Sequence, residues 1–527
     1  MTITILSALI IQLDISPVKA QSEIESSWTT LTPMPTARAG FGLAVVSGKI
    51  YAIGGTNGEN TPLNTVEEYN PVTDQWTTKN AMPTPRNGFA TAVYDNKIYV
   101  IGGSLSSGFA ANNEVYDPST NSWSQKASMT TPRADVCASI INDNIYVIGG
   151  KIWTSKSPFY AETNINECYN PVNDSWSTKA SLLTPVMGAA SVVVDNTIYV
   201  IGGSKVSSGT TSLVNNNQVY DAQNDTWISP AAKLSSVTSY GAAVATQGYL
   251  APQAIYFVGG FTGSAFTDQT RRFNLSDNSW SSIESMPTPR GYLGLAVIGD
   301  VLYAIGGFDG TNWLGTNERY KPIDYGTMPP RVVITSPENK TYREISLGFV
   351  VNRGVAWMGY SLDNKANVTV SSGLTFSNLS QGAHIIKIYA NDSAGNMGVS
   401  NVVHFSIDTL APIIVIMVPR NQSYDTTDVQ LTFTINEAVT SLEYSLDGQE
   451  SQAIIGNITL VALSNGGHYV TVYATDDLGN CAQETVYFNI APFPVLLLVA
   501  TIVIVIIVVA AGYILFKFRK PRSNKDS

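Results

Sequence analysis

The sequence predicts an all-β chain of repeated four-stranded sheets, followed by two further β domains and one apolar C-terminal helix. Three observations predict it. Paired glycines recur at 54–55, 102–103, 149–150, 202–203, 259–260 and 306–307, with Trp28, Trp76, Trp123, Trp176, Trp227 and Trp280 keeping step. Residues 360–396 and 444–480 repeat one another 84 positions apart. Val495 to Phe516 is a run of 22 residues without a charge.

Composition agrees. Charged residues make up 13% of the 527, while Gly, Asn, Ser, Thr and Tyr are abundant, which suits strands and turns better than helices. The formal net charge is −10, of which the last eleven residues contribute +4 and the rest −14. An acidic body lacks the basic footprint that nucleic-acid phosphates require. Three cysteines form no CxxC pair and no disulfide framework, and residues 1–383 contain no histidine. At the start, "ITILSALIIQL" (3–13) followed by "VKA" (18–20) reads as a signal peptide over 1–20, although no basic segment precedes it and Asp14 follows it.

The repeats come next. Glycine-pair spacings of 48, 47, 53, 57 and 47 residues give a period near 50. One period reads as strand a "GFATAVYD" (88–95), strand b "KIYVIGG" (97–103), strand c "NNEVYDP" (112–118) and strand d "SWSQKASM" (122–129). Period-2 alternation with Asp, Asn and Pro punctuation predicts an antiparallel meander. Each glycine pair ends strand b where backbone packs closely, and the Tyr and Trp of strands c and d supply apolar area between sheets. The glycine pair, the Tyr-Asp/Asn-Pro turn, the Trp about seven residues later and the Met-Pro-x-x-Arg lead resemble the kelch family of β-propellers, over residues 26–325. That resemblance implies a six-bladed propeller. The sixth copy has no Trp after "TNERYKP" (316–322), so the strand around Trp28 is expected to complete the last sheet and close the ring.

Arginines stand before strand a at Arg38, Arg86, Arg133 and Arg290, but Val186 and Ser239 take the place in copies four and five. Two residues before the strand-c aromatic stand Glu67, Glu114, Glu167, Gln218, Arg271 and Glu318. Arg and Glu are present together in four copies and absent together in two, so Arg38–Glu67, Arg86–Glu114, Arg133–Glu167 and Arg290–Glu318 read as structural ion pairs within a sheet. An anion-binding ring is the competing reading.

Binding is expected on the rim that carries the d–a and b–c connections, because the b–c loops vary most in length. They display Trp153, Phe159, Tyr160, Phe308 and Trp313, and two further outliers, Asp135 and Tyr292, lie two residues after the arginine position. Four of the copies are read there as glycine: Gly40, Gly88, Gly188 and Gly241. These seven residues are the candidate ligand contacts, for a glycan or a surface protein. No catalytic residue, metal ligand or cofactor is assigned. A copper-oxidase centre of the kelch kind needs histidines that this region lacks, and no Ser/His/Asp or Cys/His set is possible there. The resemblance leaves open a carbohydrate-active enzyme of the sugar-mutarotase kind, using loop acids such as Glu59, Glu162, Asp268 and Asp309. A structural envelope component is the third reading.

After "GTMPPRVV" the period changes, and the 84-residue echo predicts two β-sandwich domains, 326–408 and 409–491. They resemble the Ig-like or fibronectin-like stalks of prokaryotic surface proteins. His384 and His468 read as strand or turn positions; Asp392, Asp476 and Asp477 read as hairpin turns, with calcium binding the alternative. The 22 apolar residues span about 33 Å as a helix, enough to cross a bilayer. The basic run from Lys517 to Lys525 places the 517–527 tail in the cytoplasm and the rest outside. The chain is expected to be a single-pass cell-surface protein, with a transmembrane helix over 492–516, membrane contact through Val495 to Phe516, and an oligomeric state the sequence leaves unread.

Overall fold

The computed structural model describes residues 27–58, 61–155, 159–207, 210–228, 232–491 and 495–518. The expected signal peptide, most of the short tail and Glu59 lie outside these residues. The described chain divides into two compact units, the first comprising the residues up to Arg331 together with 351–357 and 390–398.

In the first unit, six four-stranded antiparallel sheets follow one another. The second is typical: Ala90–Tyr94, Lys97–Ile101, Asn113–Asp117 and Ser122–Lys126 pair in that order. Strand b is the buried spine, with Ile98, Val100 and Ile101 at 0% exposure. Each fully buried aliphatic side chain of this kind contributes about 1.5–3 kcal/mol. Apolar clusters form between sheets. Ala44, Tyr51 and Ile53 of the first sheet bury against Phe89, Ile98 and Tyr116 of the second. Met34, Phe41 and Tyr69 bury against Val301, Tyr303 and Ile305 of the sixth.

The last sheet takes its fourth strand from the other end of the unit. Ser27–Leu31 pairs antiparallel with Asn317–Lys321, setting Trp28 opposite Tyr320. The six tryptophans then stitch neighbour to neighbour. Trp76 Nε1 donates to the Thr32 carbonyl at 3.0 Å, Trp123 to Asn80 at 3.0 Å, and Trp28 to Glu284 at 3.1 Å. Tyr69, Tyr169 and Tyr220 donate to Asp74, Asp174 and Asp225 at 2.6–2.7 Å, fixing the c–d turns, where these aspartates hold left-handed backbone.

A second ring lies deeper and is made of backbone alone. The amide of Gly88 donates to the carbonyl of Gly40, Asp135 to Gly88, Gly188 to Asp135, Tyr240 to Gly188, Tyr292 to Tyr240 and Gly40 to Tyr292, at 2.7–3.0 Å. Six bonds close on themselves, one per sheet.

The second unit contains two similar sheet pairs. Val332–Ser336, Ile345–Val351 and Leu374–Phe376 form a three-stranded sheet beside one centred on Gly382–Asn391. The next pair repeats this with Ile414–Val418, Val429–Ile435 and Ile458–Leu460 beside a five-stranded sheet. Leu431 and Phe433 of one sheet share a core with Val470, Val472 and Phe488 of the other. His384 and His468 stand on strands, each with Nδ1 on an aspartate, Asp363 at 2.9 Å and Asp447 at 2.7 Å. In the 390–398 segment, which belongs to the first unit, Asp392 Oδ1 accepts from the amides of Ala394 and Asn396, and in the second unit Asp476 Oδ1 accepts from those of Leu478 and Asn480, so each carboxylate closes its own turn. The helix runs Val495–Phe518, two residues past the expected span.

Candidate functional site at the channel mouth

The four arginines meet the four glutamates. Arg38–Glu67, Arg86–Glu114, Arg133–Glu167 and Arg290–Glu318 lie 2.5, 2.7, 2.6 and 2.8 Å apart, with the guanidinium side chains at 0% exposure. Arg86 also donates to the carbonyls of Gly102, Val100 and Asn112, tying the d–a turn to strands b and c. Buried this way, these groups offer a ligand nothing.

The register of copy five differs from the sequence expectation. The carbonyl that accepts from the second glycine amide belongs to Arg86 in one sheet and to Thr238 in the fifth, so Thr238 and not Ser239 holds the arginine place. Two residues on, the ring position is therefore Tyr240 and not Gly241. Counting from the buried Met34, Met82, Met129, Leu182, Leu234 and Met286, each four residues before that place, locates Thr238 correctly.

With this register, three ring positions carry side chains: Asp135, Tyr240 and Tyr292, with φ of 52°, 54° and 53°. The other three are glycines, and at two of them, Gly88 and Gly188, a neighbouring side chain already occupies the space. A Cβ on Gly188 would lie 2.4 Å from the Tyr240 ring, and one on Gly88 2.5 Å from Asp135 Oδ1. Tyr240 leans across Gly188 to donate to Asp135 Oδ2 at 3.3 Å, and stacks on Tyr292 with ring centres 4.0 Å apart. Lys151, at the start of the b–c hairpin Lys151–Trp153 and Tyr160–Glu162, pairs with the same Asp135 oxygen at 2.8 Å. Burial first, then the neighbouring Asp135, raises both Tyr240 and Tyr292 well above the ordinary phenol value, so both remain neutral donors.

Beside Asp135 lies a cavity of about 170 Å³ lined by Gly40, Thr56, Asn87, Tyr292, Phe308 and Trp313, among others. Four sequence candidates thus converge: Asp135, Tyr292, Phe308 and Trp313. Phe266, absent from that set, joins Phe308 (5.6 Å) to Tyr292 (6.3 Å). The remaining candidates gather outside the cavity. Trp153, 62% exposed, stacks near Phe159 at 6.3 Å and meets Phe109 edge-on at 5.8 Å. Tyr160 lies under the Lys151 ammonium at 5.4 Å. Of the loop acids, Glu162 accepts from the Val206 amide and Asp309 caps its own loop. Cys137 and Cys168 are free thiols; burial pushes Cys137 up to about 11, away from nucleophilic use.

Sheets of this kind, arranged around a ring and bearing variable loops on one rim, define a repeat β-propeller. A model of the family described as the KLHDC2/KLHL20/DRC7 Kelch-repeats domain matches residues 14–181 and 132–307, and the chain belongs to this Kelch-repeat family. Kelch-like protein terF of Aspergillus terreus is 28% identical over 164 residues, 29% of this chain and 34% of that protein. Kelch-like protein 40 of Mus musculus is 28% identical over 141 residues, covering 27% and 21%. Halomucin of Haloquadratum walsbyi is 34% identical over 122 residues, covering 21% of this chain and 1% of that protein. The chain therefore spans about a third or less of the length of these relatives. Among solved structures, one titled "Structure of YjhT" aligns at TM-score 0.44 and 18% identity, over 55% of this chain and 95% of that one.

Proposed function

We propose that this Kelch-repeat protein is a membrane-anchored cell-surface binding protein. Its six sheets are the blades of one propeller, and it recognises an external glycan or surface protein through the b–c rim. The observation that carries this reading is the convergence of Asp135, Tyr292, Phe308 and Trp313 on one opening at that rim. A polar group beside aromatic walls, held on rigid backbone, is the usual make-up of a recognition site. The anchor is supported by residues 499–517, whose mean hydropathy is 3.0 and whose side chains are exposed. We read the two sheet pairs of the second unit as β-sandwich modules.

A second reading, a carbohydrate-active enzyme, draws on the same carboxylate beside two neutral phenols. One experiment separates them. Full-length protein in lipid nanodiscs is screened against immobilised glycans and surface-protein extracts, and sugar conversion is followed by NMR. Saturable binding that weakens in Trp313→Ala or Trp153→Ala supports recognition. Turnover lost in Asp135→Asn supports the enzyme. Absence of both sinks both readings and leaves an architectural role.

A further inference from the structure

The cavity lies beside Gly40, the ring position whose missing side chain leaves open space. Gly40 and Gly88 stand where other sheets place Asp135, Tyr240 and Tyr292, and a Cβ on Gly40 would meet nothing closer than 3.8 Å. At about 170 Å³ the space falls short of the roughly 300–1,000 Å³ of pockets for drug-sized ligands, and suits one sugar ring or one side chain. Its wall has two halves. Phe308 and Trp313, 5.2 Å apart and tilted 42°, give an apolar corner; Asp135, Asn87 and Thr56 give a polar one.

Charge decides between occupants. Among the described residues lining the cavity Asp135 is the one that carries a charge, and it is already paired with Lys151 at 2.8 Å. A cationic group would have to displace Lys151, and an anionic group would face the Asp135 carboxylate at close range. A neutral polyol meets neither obstacle. Its hydroxyls donate to Asp135 and exchange bonds with Asn87 and Thr56, while its C–H face lies on the aromatic corner.

We infer that this cavity takes the uncharged terminal pyranose of a glycan end-on, and that the Asp135–Lys151 pair rejects charged sugars and charged peptide side chains. The inference rests on the proposed reading of the rim as a recognition face.

The test uses the full chain in a detergent without sugar head groups, probed by saturation-transfer NMR and calorimetry. The probes are methyl glycosides of neutral hexoses, a methyl uronide and N-acetylarginine amide. Neutral glycosides bind, and both charged probes bind at least about tenfold more weakly, equivalent to ~1.4 kcal/mol. Asp135→Asn leaves Lys151 unopposed and shifts preference about tenfold toward the uronide. Lys151→Met shifts it likewise toward the arginine probe. Gly40→Tyr abolishes glycoside binding with the fold intact, since tyrosine already occupies the same backbone conformation at 240 and 292.

Charged probes that bind as well as neutral ones, selectivity indifferent to both charge variants, or Gly40→Tyr binding as wild type would each overturn the inference. So would the failure of every glycoside to bind. If that failure comes with glycan or protein capture that still depends on Trp153, the inference falls and the rim reading stands. If capture is unaffected in both Trp153→Ala and Trp313→Ala, the rim reading falls too.

Discussion

Arg271 Nη1 lies 3.3 Å from Thr238 Oγ1, in the niche that an arginine and a glutamate share in four other sheets. The cation has moved from the turn to strand c, and no carboxylate has followed it. At 1% exposure Arg271 bonds Ser236, Thr238 and Gln269, and it forms no ion pair among the described residues. Burial lowers its pKa with no acid opposing. Removing one member of a buried pair costs about 3–5 kcal/mol, whereas replacing an uncompensated charge by an apolar side chain of similar length does not. Glu114→Ala is therefore expected to lower propeller stability by about 3 kcal/mol, and Arg271→Met to leave it unchanged or raise it. Denaturant melts of the two variants check this; equal losses would show that Arg271 is held as firmly as the paired arginines.

Ring closure makes a separate prediction. Trp28 packs on Tyr320 at 5.2 Å and donates to the Glu284 carbonyl, so it touches the sixth and fifth sheets at once. Trp28→Ala is expected to cost about 2 kcal/mol, less than the ~3–5 of a fully buried aromatic, because Trp28 is half-buried. Limited proteolysis should then cut near residue 31 while the central sheets resist. A variant as resistant as wild type would mean that closure does not depend on this side chain.

The paired histidines bring pH dependence. His384 Nε2 faces the Ser380 carbonyl at 2.7 Å and Nδ1 faces Asp363; His468 repeats this with Ser464 and Asp447. Two acceptors satisfy both ring nitrogens only in the imidazolium. At His384 burial works against the charge, as does Lys365, but the Ser380 carbonyl and Asp363 outweigh them; at His468 the Ser464 carbonyl is the largest influence. Both pKa values are raised above 6.5. The folded modules thus hold protons that the unfolded chain releases, and their contribution is full below 6.5 and lost as pH rises through the raised values. Melting of the second unit should fall between pH 6 and pH 9, and His468→Gln should flatten that slope. A slope unchanged in His384→Gln and His468→Gln together would exclude these groups as its source.

Internal repetition exposes one charge reversal. Arg353 pairs with Asp392 at 2.7 Å. Eighty-four residues on, the same two places hold Glu437 and Asp476, whose carboxylates lie within 4.8 Å of one another and of Asp408. Glu437→Arg is expected to stabilise the second module by about 0.5–1 kcal/mol, the scale of a partly exposed ion pair. Thermal melts at low and high salt check it, and a gain that survives high salt would point to packing.

The sheets are legible in the sequence because glycine pairs and tryptophans serve contacts that every copy must make. Close backbone approach leaves Gly103 no room, since its Cβ would lie 2.8 Å from the Asn87 carbonyl. The arginine–glutamate pairs are legible for a related reason: two charges buried together must come and go together. Tyr240 is missed because the inner ring is made of amides and carbonyls and copy five lacks the arginine from which to count, so that only the weaker apolar mark at Leu234, four residues before Thr238, fixes its place. Lys151 is visible as a charge, but its partner stands sixteen residues earlier on another element. Trp153 and Phe159 stand out as loop aromatics, yet spacing along a loop gives no distance from the cavity.

That inner ring has a further consequence. Because main-chain atoms alone hold it together, Gly40, Asp135, Tyr240 and Tyr292 owe the wheel little beyond one backbone twist. Gly88 and Gly188, by contrast, must stay bare while Asp135 and Tyr240 lean over them. Recognition chemistry here can be rewritten singly at Gly40 and only in neighbouring pairs at Gly88–Asp135 and Gly188–Tyr240, while the frame that presents it stays the same.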